Sequence, residues 1–255
     1  MKISVLFTDL DGTLLEPDGR LAPRTASTVA RLRVLGVPIV PMTSKTESEL
    51  RAWLEVLGAG GVGVFENGAG FVTPRGVEIL PTAVPVALLR QVLATVALRR
   101  GLELVPLDDL PAERLAAMTG LAGDAADRAR ARVWDLPFLA PGGREDVLAE
   151  EIGGFPGVQI VRGGAFWHLS GRHDKADAVP RIRELFSRPG STVGLGDAPN
   201  DARFLAAVDV PVIVPGAAGP HEGLVAAEPR ARLAPSPGGG GWAAAVDALL
   251  EDAAA

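Results

Sequence analysis

Carboxylate side chains follow the first apolar segment of the chain at a spacing suited to metal-assisted chemistry. Asp9 and Asp11 come directly after Ile3–Thr8, a predicted buried strand, and Gly12-Thr13 follows them. Ligands of open α/β sheets bind just beyond the carboxyl ends of the strands. Two carboxylates this close repel each other unless they share a proton or a cation. Because hard cations such as Mg²⁺ prefer oxygen ligands, the segment predicts a cation site rather than a solvated acidic turn.

Hydroxyl and ammonium groups gather after the second predicted strand. Thr43, Ser44 and Lys45 stand there, just before a helix that is predicted from a capping box starting at Thr46. Free N–H groups at a helix start attract anions, so the segment predicts an anion site, although helix capping alone would explain its hydroxyls. Lys175 opens a later predicted helix in a chain that has only three lysines. We expect Lys175 to neutralise an anion, although a surface lysine is the simpler explanation.

A further carboxylate follows a strand near residue 195. Asp197 comes directly after this strand, and Asn200 and Asp201 stand about one helical turn later. A loop with a helix N-cap would explain these residues by themselves. The carboxyl ends of parallel strands, however, meet at one edge of a sheet, so the separate polar segments together predict a single site.

The elements that must position these segments alternate between strand and helix. The alternation runs to about residue 81 and resumes at about residue 170, which predicts an α/β, doubly wound parallel sheet. Between these parts, helices mix with short extended segments, which predicts a separate α+β domain. The predicted division is a core of residues 1–82 and 170–255 with an inserted domain at 83–169. Gly238–Gly241 is predicted to be a flexible run before a last helix, Trp242–Asp252.

Composition excludes several classes of function. The chain has 255 residues, a formal net charge of −6 and no cysteine. An acidic chain is poorly suited to nucleic-acid binding, and without cysteine there is no disulfide framework or cysteine nucleophile. No apolar segment is long enough to span a membrane, and the first residues do not have the pattern of a signal peptide. We expect a cytoplasmic protein without nucleic-acid or membrane partners, and the sequence leaves its oligomeric state open.

In chain order, the polar segments resemble the four motifs of the haloacid dehalogenase superfamily, which are DxD, Ser/Thr, Lys and GDxxxD. An acid at the second position of the first motif, here Asp11, is typical of the phosphatases and phosphotransferases of that superfamily. The resemblance implies a Rossmann-like core with a cap domain. It also implies that Asp9 attacks phosphorus and forms an aspartyl phosphate, and that Asp11 is the general acid and base.

The same resemblance implies how a metal ion and the phosphate are bound. Mg²⁺ would be held by the carboxylates of Asp9 and Asp197 and by the backbone carbonyl of Asp11. The residues that would bind the phosphate are Thr43, Ser44 and Lys175. The residues that would support the metal loop are Asn200 and Asp201.

Finer matches point to one branch of the superfamily. The long stretch between Thr43 and Lys175 is the place for a large α+β cap. Several segments resemble mannosyl-3-phosphoglycerate phosphatases, although an Arg is expected where this chain has Ala165: Thr43–Thr46 with Glu49, Glu66–Ala69, Arg132–Phe138, Gly163–Leu169 and Gly196–Asp201. This resemblance implies Mg²⁺-dependent hydrolysis of mannosyl-3-phosphoglycerate to phosphate and mannosylglycerate, a compatible solute.

A substrate with a phosphate, a carboxylate and a sugar needs partners in the cap. Arginine side chains are candidates for the carboxylate, and Trp134 and Trp167 are candidates for covering a sugar face. The arginines in question are Arg132, Arg144 and Arg162. The full set of candidate substrate-binding residues is Lys45, Asn67, Arg132, Arg144, Arg162 and His168, each of which also has an ordinary structural explanation.

Other functions remain open at this point. Another sugar-phosphate phosphatase, acting on sucrose phosphate or trehalose phosphate or with broad specificity, would carry the same motifs, and so would a phosphomannomutase. A catalytically silent phosphosugar-binding regulator belongs to a different class. The complete motif set argues against it, because a binding protein needs neither a nucleophile nor a general acid.

Overall fold

The structure, a computed structural model, describes residues 2–16, 18–142, 145–163 and 166–252. The strands are β1 Ile3–Thr8, β2 Ile39–Pro41, β3 Gly63–Phe65, β4 Gly70–Thr73, β5 Gly76–Ile79, β6 Val105–Pro106, β7 Asp135–Leu139, β8 Val158–Arg162, β9 Trp167–Gly171, β10 Ser191–Gly196, β11 Val210–Ile213 and β12 Arg232–Leu233. The helices are α1 Pro23–Val34, α2 Glu47–Leu57, α3 Val86–Arg100, α4 Ala112–Thr119, α5 Asp124–Arg130, α6 Glu145–Gly153, α7 Lys175–Leu185, α8 Ala202–Ala206, α9 Glu222–Ala227 and α10 Gly238–Glu251.

A five-stranded parallel sheet in the order β12-β11-β10-β1-β2 forms the centre of the core. β1 lies between β10 and β2, with Phe7 opposite both Gly194 and Val40. Since the strands are parallel, the segments that follow β1, β2 and β10 lie at the same edge of the sheet. The predicted α/β parallel sheet is confirmed.

Helices cover both faces of this sheet, as a doubly wound fold requires. One face packs against α1, α2 and α10 through buried residues such as Leu32, Leu50 and Trp242. The other packs against α7, α8 and α9, with Ile182 and Phe204 among the buried residues. Both faces of β1 are therefore out of contact with water, and β1 holds the residues after Thr8 in a fixed position.

The alternation up to residue 81 predicts strands of the parallel sheet, but β3 does not join that sheet. β3, β4 and β5 form a separate antiparallel sheet, with a hairpin turn between β4 and β5. A parallel bridge between Met42 and Val64 still joins β3 to the end of β2. The turn after β3 consequently lies beside the segment that follows β2.

A second antiparallel sheet, in the order β6-β7-β9-β8, lies in the segment that we predicted to be the cap. α3 and α6 pack on it through Leu93 and Leu148, which bury Phe138 of β7. α4 and α5 form a smaller cluster around Leu115. The division into residues 1–82, 83–169 and 170–255 stays a prediction, and β9 extends to Gly171, two residues beyond the predicted boundary.

The predicted flexible run at Gly238–Gly241 is wrong, because these residues form the first turn of α10. A Cβ on Gly239 would lie 2.6 Å from Thr25 Oγ1. A Cβ on Gly241 would lie 1.6 Å from the carbonyl oxygen of Ser236. The glycines therefore allow close packing at the start of the helix, and flexibility is not their role.

Candidate active site

Lys175 joins two of the predicted motifs in the interior of the protein. Its Nζ lies 2.6 Å from Asp9 Oδ1 and 2.7 Å from Asp201 Oδ1, and its side chain is 1% exposed. A capping box formed by Asp174 and Asp177 starts α7 at this point and sets the direction of the lysine. Burial acts to lower the pKa of Lys175, but the charges of Asp201 and Asp9 outweigh it and raise the pKa above its ordinary value. Lys175 is therefore a buried cation and not a surface lysine.

Asp9 leaves β1 at the centre of the parallel sheet. Its amide donates to the carbonyl of Leu195 in β10 at 2.9 Å, which fixes its backbone at the sheet edge. Burial raises the pKa of Asp9, and the nearby carboxylates raise it further against the effect of Lys175. The loop then turns at Gly12, whose φ of +82° favours glycine, and Thr13 Oγ1 donates to Asp197 Oδ1 at 2.7 Å.

Carboxylate oxygens of Asp9, Asp197 and Asp201 lie within 4.8 Å of one another. Burial raises the pKa of Asp197 to about 7, and the charge of Asp201 adds to the shift. A Cβ on Gly12 would lie 2.5 Å from Asp197 Oδ2, so only glycine leaves this cluster open. Gathered carboxylates, two of them with a raised pKa, Asp9 and Asp197, are a donor set that fits a hard divalent cation. The buried acidic cluster can therefore hold a metal ion.

Asp11 and Asp201 make different contacts around this cluster. Asp201 Oδ2 accepts hydrogen bonds from the amides of Asp197 and Ala198, so Asp201 shapes the loop as well as facing Lys175. The carboxylate of Asp11 lies outside the cluster and pairs with Lys45 at 2.8 Å. The backbone carbonyl of Asp11 as a metal ligand stays a prediction.

Lys45 orients the predicted general acid. Burial opposes its charge, but Asp11 and Glu49 outweigh burial and raise the pKa of Lys45. The capping box at Thr46 is present as predicted, with Thr46 Oγ1 accepting from the amide of Glu49 and Glu49 accepting from the amide of Thr46. Lys45 is thus held directly before Thr46, the N-cap of α2, and its side chain contacts Asp11.

The segment 43–45 is held by its carbonyl groups. The carbonyl of Thr43 accepts from the amide of Asn67 at 3.0 Å, and the carbonyl of Lys45 accepts from the amide of Glu66 at 2.8 Å. Between them, the carbonyl of Ser44 accepts from Arg132 Nη1 at 2.7 Å. Glu66 and Asn67 both have positive φ, +43° and +57°, which is rare for residues with side chains. Backbone strain at this turn indicates a constraint from function. The turn and a cap arginine together fix the predicted phosphate-binding segment.

A hydrogen-bond network links the predicted metal loop to the cap. Asn200 Nδ2 donates to Asn67 Oδ1 at 3.1 Å, and Asn67 Nδ2 donates to Asp135 Oδ2 at 3.2 Å. The same oxygen of Asp135 lies 2.7 Å from His168 Nδ1 and 3.1 Å from Arg132 Nη1. Burial acts to raise the pKa of Asp135, but His168 and Arg132 outweigh it and lower the pKa. Asp135 is the centre of this network, and sequence analysis missed it.

Glu66 forms a second link between core and cap. Its carboxylate accepts from the amides of Val133, Trp134 and Asp135, with the shortest distance at 2.7 Å to Trp134. The Glu66 side chain is buried, and burial raises its pKa to about 7. An isolated glutamate in a turn gave no signal from which this contact could be foreseen.

A cavity of about 710 Å³ opens beside Asp11 and Lys45. Arg132 and His168, which are predicted to bind substrate, line it, and so does Ser44, a predicted phosphate-binding residue. Arg128 and Trp53 line it too and were not predicted. Within α5 and just beyond, the lining residues follow a helical spacing that the sequence displays: Ala125, Arg128, Ala129 and Arg132.

Other predicted cap residues lie elsewhere. Arg162 is exposed and stacks on Trp167, with its guanidinium carbon 4.9 Å from the ring centre. Neither of these residues is in the described lining of the cavity, and Trp134 packs against the core. Their predicted roles toward carboxylate and sugar therefore do not fit this geometry. Arg144 and Ala165 lie outside the described residues.

The chain is similar to known hydrolases and phosphatases. Residues 6–97 match the family described as haloacid dehalogenase-like hydrolase. The chain is 29% identical, over 97% of both chains, to a protein of Persephonella marina named glucosyl-3-phosphoglycerate/mannosyl-3-phosphoglycerate phosphatase. A protein of the same name from Methanococcoides burtonii is 28% identical over 82% of this chain and 84% of its own.

Solved structures share the fold over nearly the whole chain. A haloacid dehalogenase subclass IIB sugar phosphatase matches with a TM-score of 0.72 at 17% identity, covering 98% of both chains. A phosphatase of the same superfamily from Bacteroides thetaiotaomicron also has a TM-score of 0.72, at 19% identity, over 98% of this chain and 94% of its own. Among the described residues, no helix combines the length and apolar character needed to cross a membrane. The chain is thus similar to haloacid dehalogenase-like hydrolases over residues 6–97 and to the two named phosphatases over most of its length, and these likenesses support a phosphoric monoester hydrolase.

Proposed function

We propose that the protein is a Mg²⁺-dependent phosphatase that hydrolyses mannosyl-3-phosphoglycerate to mannosylglycerate and phosphate. The observation that carries the proposal is the buried contact of Lys175 with Asp9 and Asp201. Asp11, two residues after Asp9, lines a cavity together with Lys45. The names of the two relatives support the substrate, and they include the glucosyl compound as well.

The first half of the proposed reaction transfers the phosphoryl group to the protein. An oxygen of the Asp9 carboxylate attacks phosphorus, and the bond from phosphorus to the glycerate oxygen breaks. Asp11, held by Lys45 at 2.8 Å, donates a proton to the departing oxygen. The products of this step are mannosylglycerate and an aspartyl phosphate on Asp9.

The second half releases the phosphate. Asp11 is now a carboxylate and takes a proton from a water molecule, whose oxygen attacks phosphorus and breaks the bond to Asp9. The phosphoryl group is bound by Thr43, Ser44 and Lys175. Because the carbonyls of residues 43–45 are already bound by their neighbours, this segment is well placed to turn its remaining polar groups toward an anion.

A metal ion would be held by the carboxylates of Asp9 and Asp197 and by the backbone carbonyl of Asp11. When bound, Mg²⁺ supplies positive charge that lowers the repulsion between an anionic nucleophile and an anionic phosphate ester. Lys175 supplies one positive charge in the same place, against the negative charges of Asp9, Asp197 and Asp201. One lysine is too little for three carboxylates and a phosphate, which is the reason to expect a cation.

Phosphate release across a panel of substrates tests the proposal. The panel contains mannosyl- and glucosyl-3-phosphoglycerate, glucose 6-phosphate, mannose 1-phosphate, sucrose phosphate and trehalose phosphate. We expect the highest kcat/KM with mannosyl-3-phosphoglycerate. Equal efficiency with glucose 6-phosphate would replace the narrow assignment with a broad sugar phosphatase. Phosphate that returns to a sugar instead of entering solution would indicate a mutase, and no turnover at all would indicate a binding protein.

Removal of the metal tests the cation site separately. We expect EDTA to abolish phosphate release and Mg²⁺ to restore it. Mg²⁺ should also raise the melting temperature, since an ion that binds only the folded state stabilises it. In Asp197→Asn the increase in melting temperature should be much smaller. Full activity after exhaustive chelation would contradict the proposed site.

A further inference from the structure

Arg128 differs from the other cations that line the cavity. Lys45 pairs with Asp11, and both Arg132 and His168 contact Asp135. Arg132 also donates to the carbonyls of Ser44 and Ala129. For the guanidinium of Arg128, by contrast, the described residues provide no hydrogen-bond acceptor and no carboxylate within salt-bridge distance.

The position of Arg128 is fixed although its guanidinium is not. Its carbonyl accepts a hydrogen bond of 2.9 Å from Thr46 Oγ1, the residue that caps α2 next to Lys45. Arg128 therefore stands at the point where the cap meets the end of the predicted phosphate-binding segment. It is half-buried and lines the cavity that Asp11 and Ser44 also line.

The guanidinium of Arg128 has no acceptor among the described residues and lines the cavity, so its donors are available to an anionic ligand. A carboxylate matches its planar pair of donors. The phosphate of the proposed substrate already has Thr43, Ser44 and Lys175 as partners. The second anionic group of a phosphoglycerate is its carboxylate, only a few bonds from the phosphorus.

We infer that Arg128 binds the carboxylate of the phosphoglycerate part of the substrate. This inference rests on the proposed function. It also assigns Arg132, the predicted carboxylate ligand, to a different task, since its donors hold the cap against Ser44. Arg128 is then the residue that distinguishes phosphoglycerates from neutral sugar phosphates.

Two small phosphates test the inference because they differ in one group. 3-Phosphoglycerate has a carboxylate where glycerol 3-phosphate has a hydroxymethyl group. Their inhibition constants are measured against the best substrate of the panel, which works whether or not they are themselves hydrolysed. We expect the wild type to bind 3-phosphoglycerate at least about tenfold more tightly. Arg128→Gln should reduce this ratio to near one, and Arg128→Lys should restore part of it.

Arg132→Gln is the matched comparison. It should weaken both inhibitors by a similar factor and keep their ratio, because Arg132 is a positioning residue. An unchanged ratio in Arg128→Gln, or equal binding of the two compounds by the wild type, would overturn the inference. The proposed function can fail by itself. In that case mannosyl-3-phosphoglycerate is not hydrolysed, but Arg128→Gln still loses the preference for 3-phosphoglycerate over glycerol 3-phosphate.

Discussion

At the scale of single residues, the site concentrates negative charge and provides few cations to balance it. Asp9, Asp197 and Asp201 lie within 4.8 Å of one another, and Lys175 is the cation that contacts two of them. Burying an ion pair has a large desolvation cost, so such a cluster is not an efficient way to stabilise a fold. Its chemistry explains it better, because an aspartate held by a lysine beside further carboxylates is prepared for a cation and a phosphate.

Asp9→Asn tests the nucleophile. The amide has nearly the size of the carboxylate but no attacking anion, so we expect kcat to fall by at least ~10³-fold. Phosphate release with the best substrate measures the effect, and circular dichroism establishes that the variant folds, since Asp9 also contacts Lys175. Asp252→Asn, at the exposed end of α10, should retain the wild-type rate. A residual rate above about a tenth for Asp9→Asn would contradict the assignment.

At the scale of elements, helix starts direct the two functional lysines. Lys45 precedes α2, which begins with the capping box of Thr46 and Glu49. Lys175 is the first residue of α7, which begins with the capping box of Asp174 and Asp177. A capped helix start has a defined direction of entry, so a side chain at this place has a defined position. The same local rule thus serves both sides of the site.

The start of α10 offers an element-scale prediction. Gly241→Ala should lower the free energy of unfolding by about 1–3 kcal/mol, because its Cβ meets the carbonyl of Ser236. Gly240→Ala is the matched control, since its Cβ finds only Ser236 Oγ at 3.9 Å. This second change should stabilise the protein by about 0.4–1 kcal/mol through lower entropy of the unfolded chain. Urea unfolding measures both values, and equal effects of the two substitutions would contradict the packing argument.

At the scale of the whole molecule, the cap is bound to the core through polar groups. Glu66 of the core accepts from three amides at the start of β7, and Asn67 reaches Asp135. Arg132 of the cap reaches back to Ser44. These contacts meet at the turn after β3 and the segment after β2, so the position of the cap and the shape of the phosphate-binding segment are set together.

Glu66→Gln tests the contact between cap and core through the pH dependence of the free energy of unfolding. Burial raises the pKa of Glu66 from 4.5 to about 7. Between these pH values the unfolded chain loses the proton while the folded protein keeps it, so the folded state loses stability as the pH rises. The full loss above pH 7 is roughly 3 kcal/mol at 1.36 kcal/mol per pKa unit. Gln does not titrate and keeps an oxygen for the amides of residues 134 and 135.

The measurement is urea unfolding of both proteins between pH 4 and pH 8. The free energy of unfolding of the wild type exceeds that of Glu66→Gln by an amount that should decrease by roughly 3 kcal/mol from pH 4 to pH 8. Glu55→Gln, an exposed position on α2, should show no such trend. If the difference in free energy of unfolding between the wild type and Glu66→Gln stays constant with pH, the pKa of Glu66 is not raised in the folded protein.

Local patterns were sufficient for much of the core. The apolar run Ile3–Thr8 predicts β1 at its observed bounds. The capping box at Thr46 is also visible in four consecutive residues. Such features depend on neighbours in the chain, so the sequence alone displays them. The motifs after β1, β2 and β10 follow from the same patterns, because a parallel sheet gathers its carboxyl ends at one edge.

Contacts between distant segments were decided only by the tertiary structure. Glu66 meets the amides of residues 133–135, and Arg132 meets Ser44, across separations that no periodicity records. The four glycines of residues 238–241 predict a flexible run, yet they form the first turn of α10. Gly241 lies there so close to the carbonyl of Ser236 that no Cβ would fit. In the same way, Arg128 differs from the other arginines only because its neighbours in space leave its guanidinium without an acceptor among the described residues. The sequence by itself determined which chemistry the core can perform, while the packing of the cap on that core decided which cap residues face the substrate cavity.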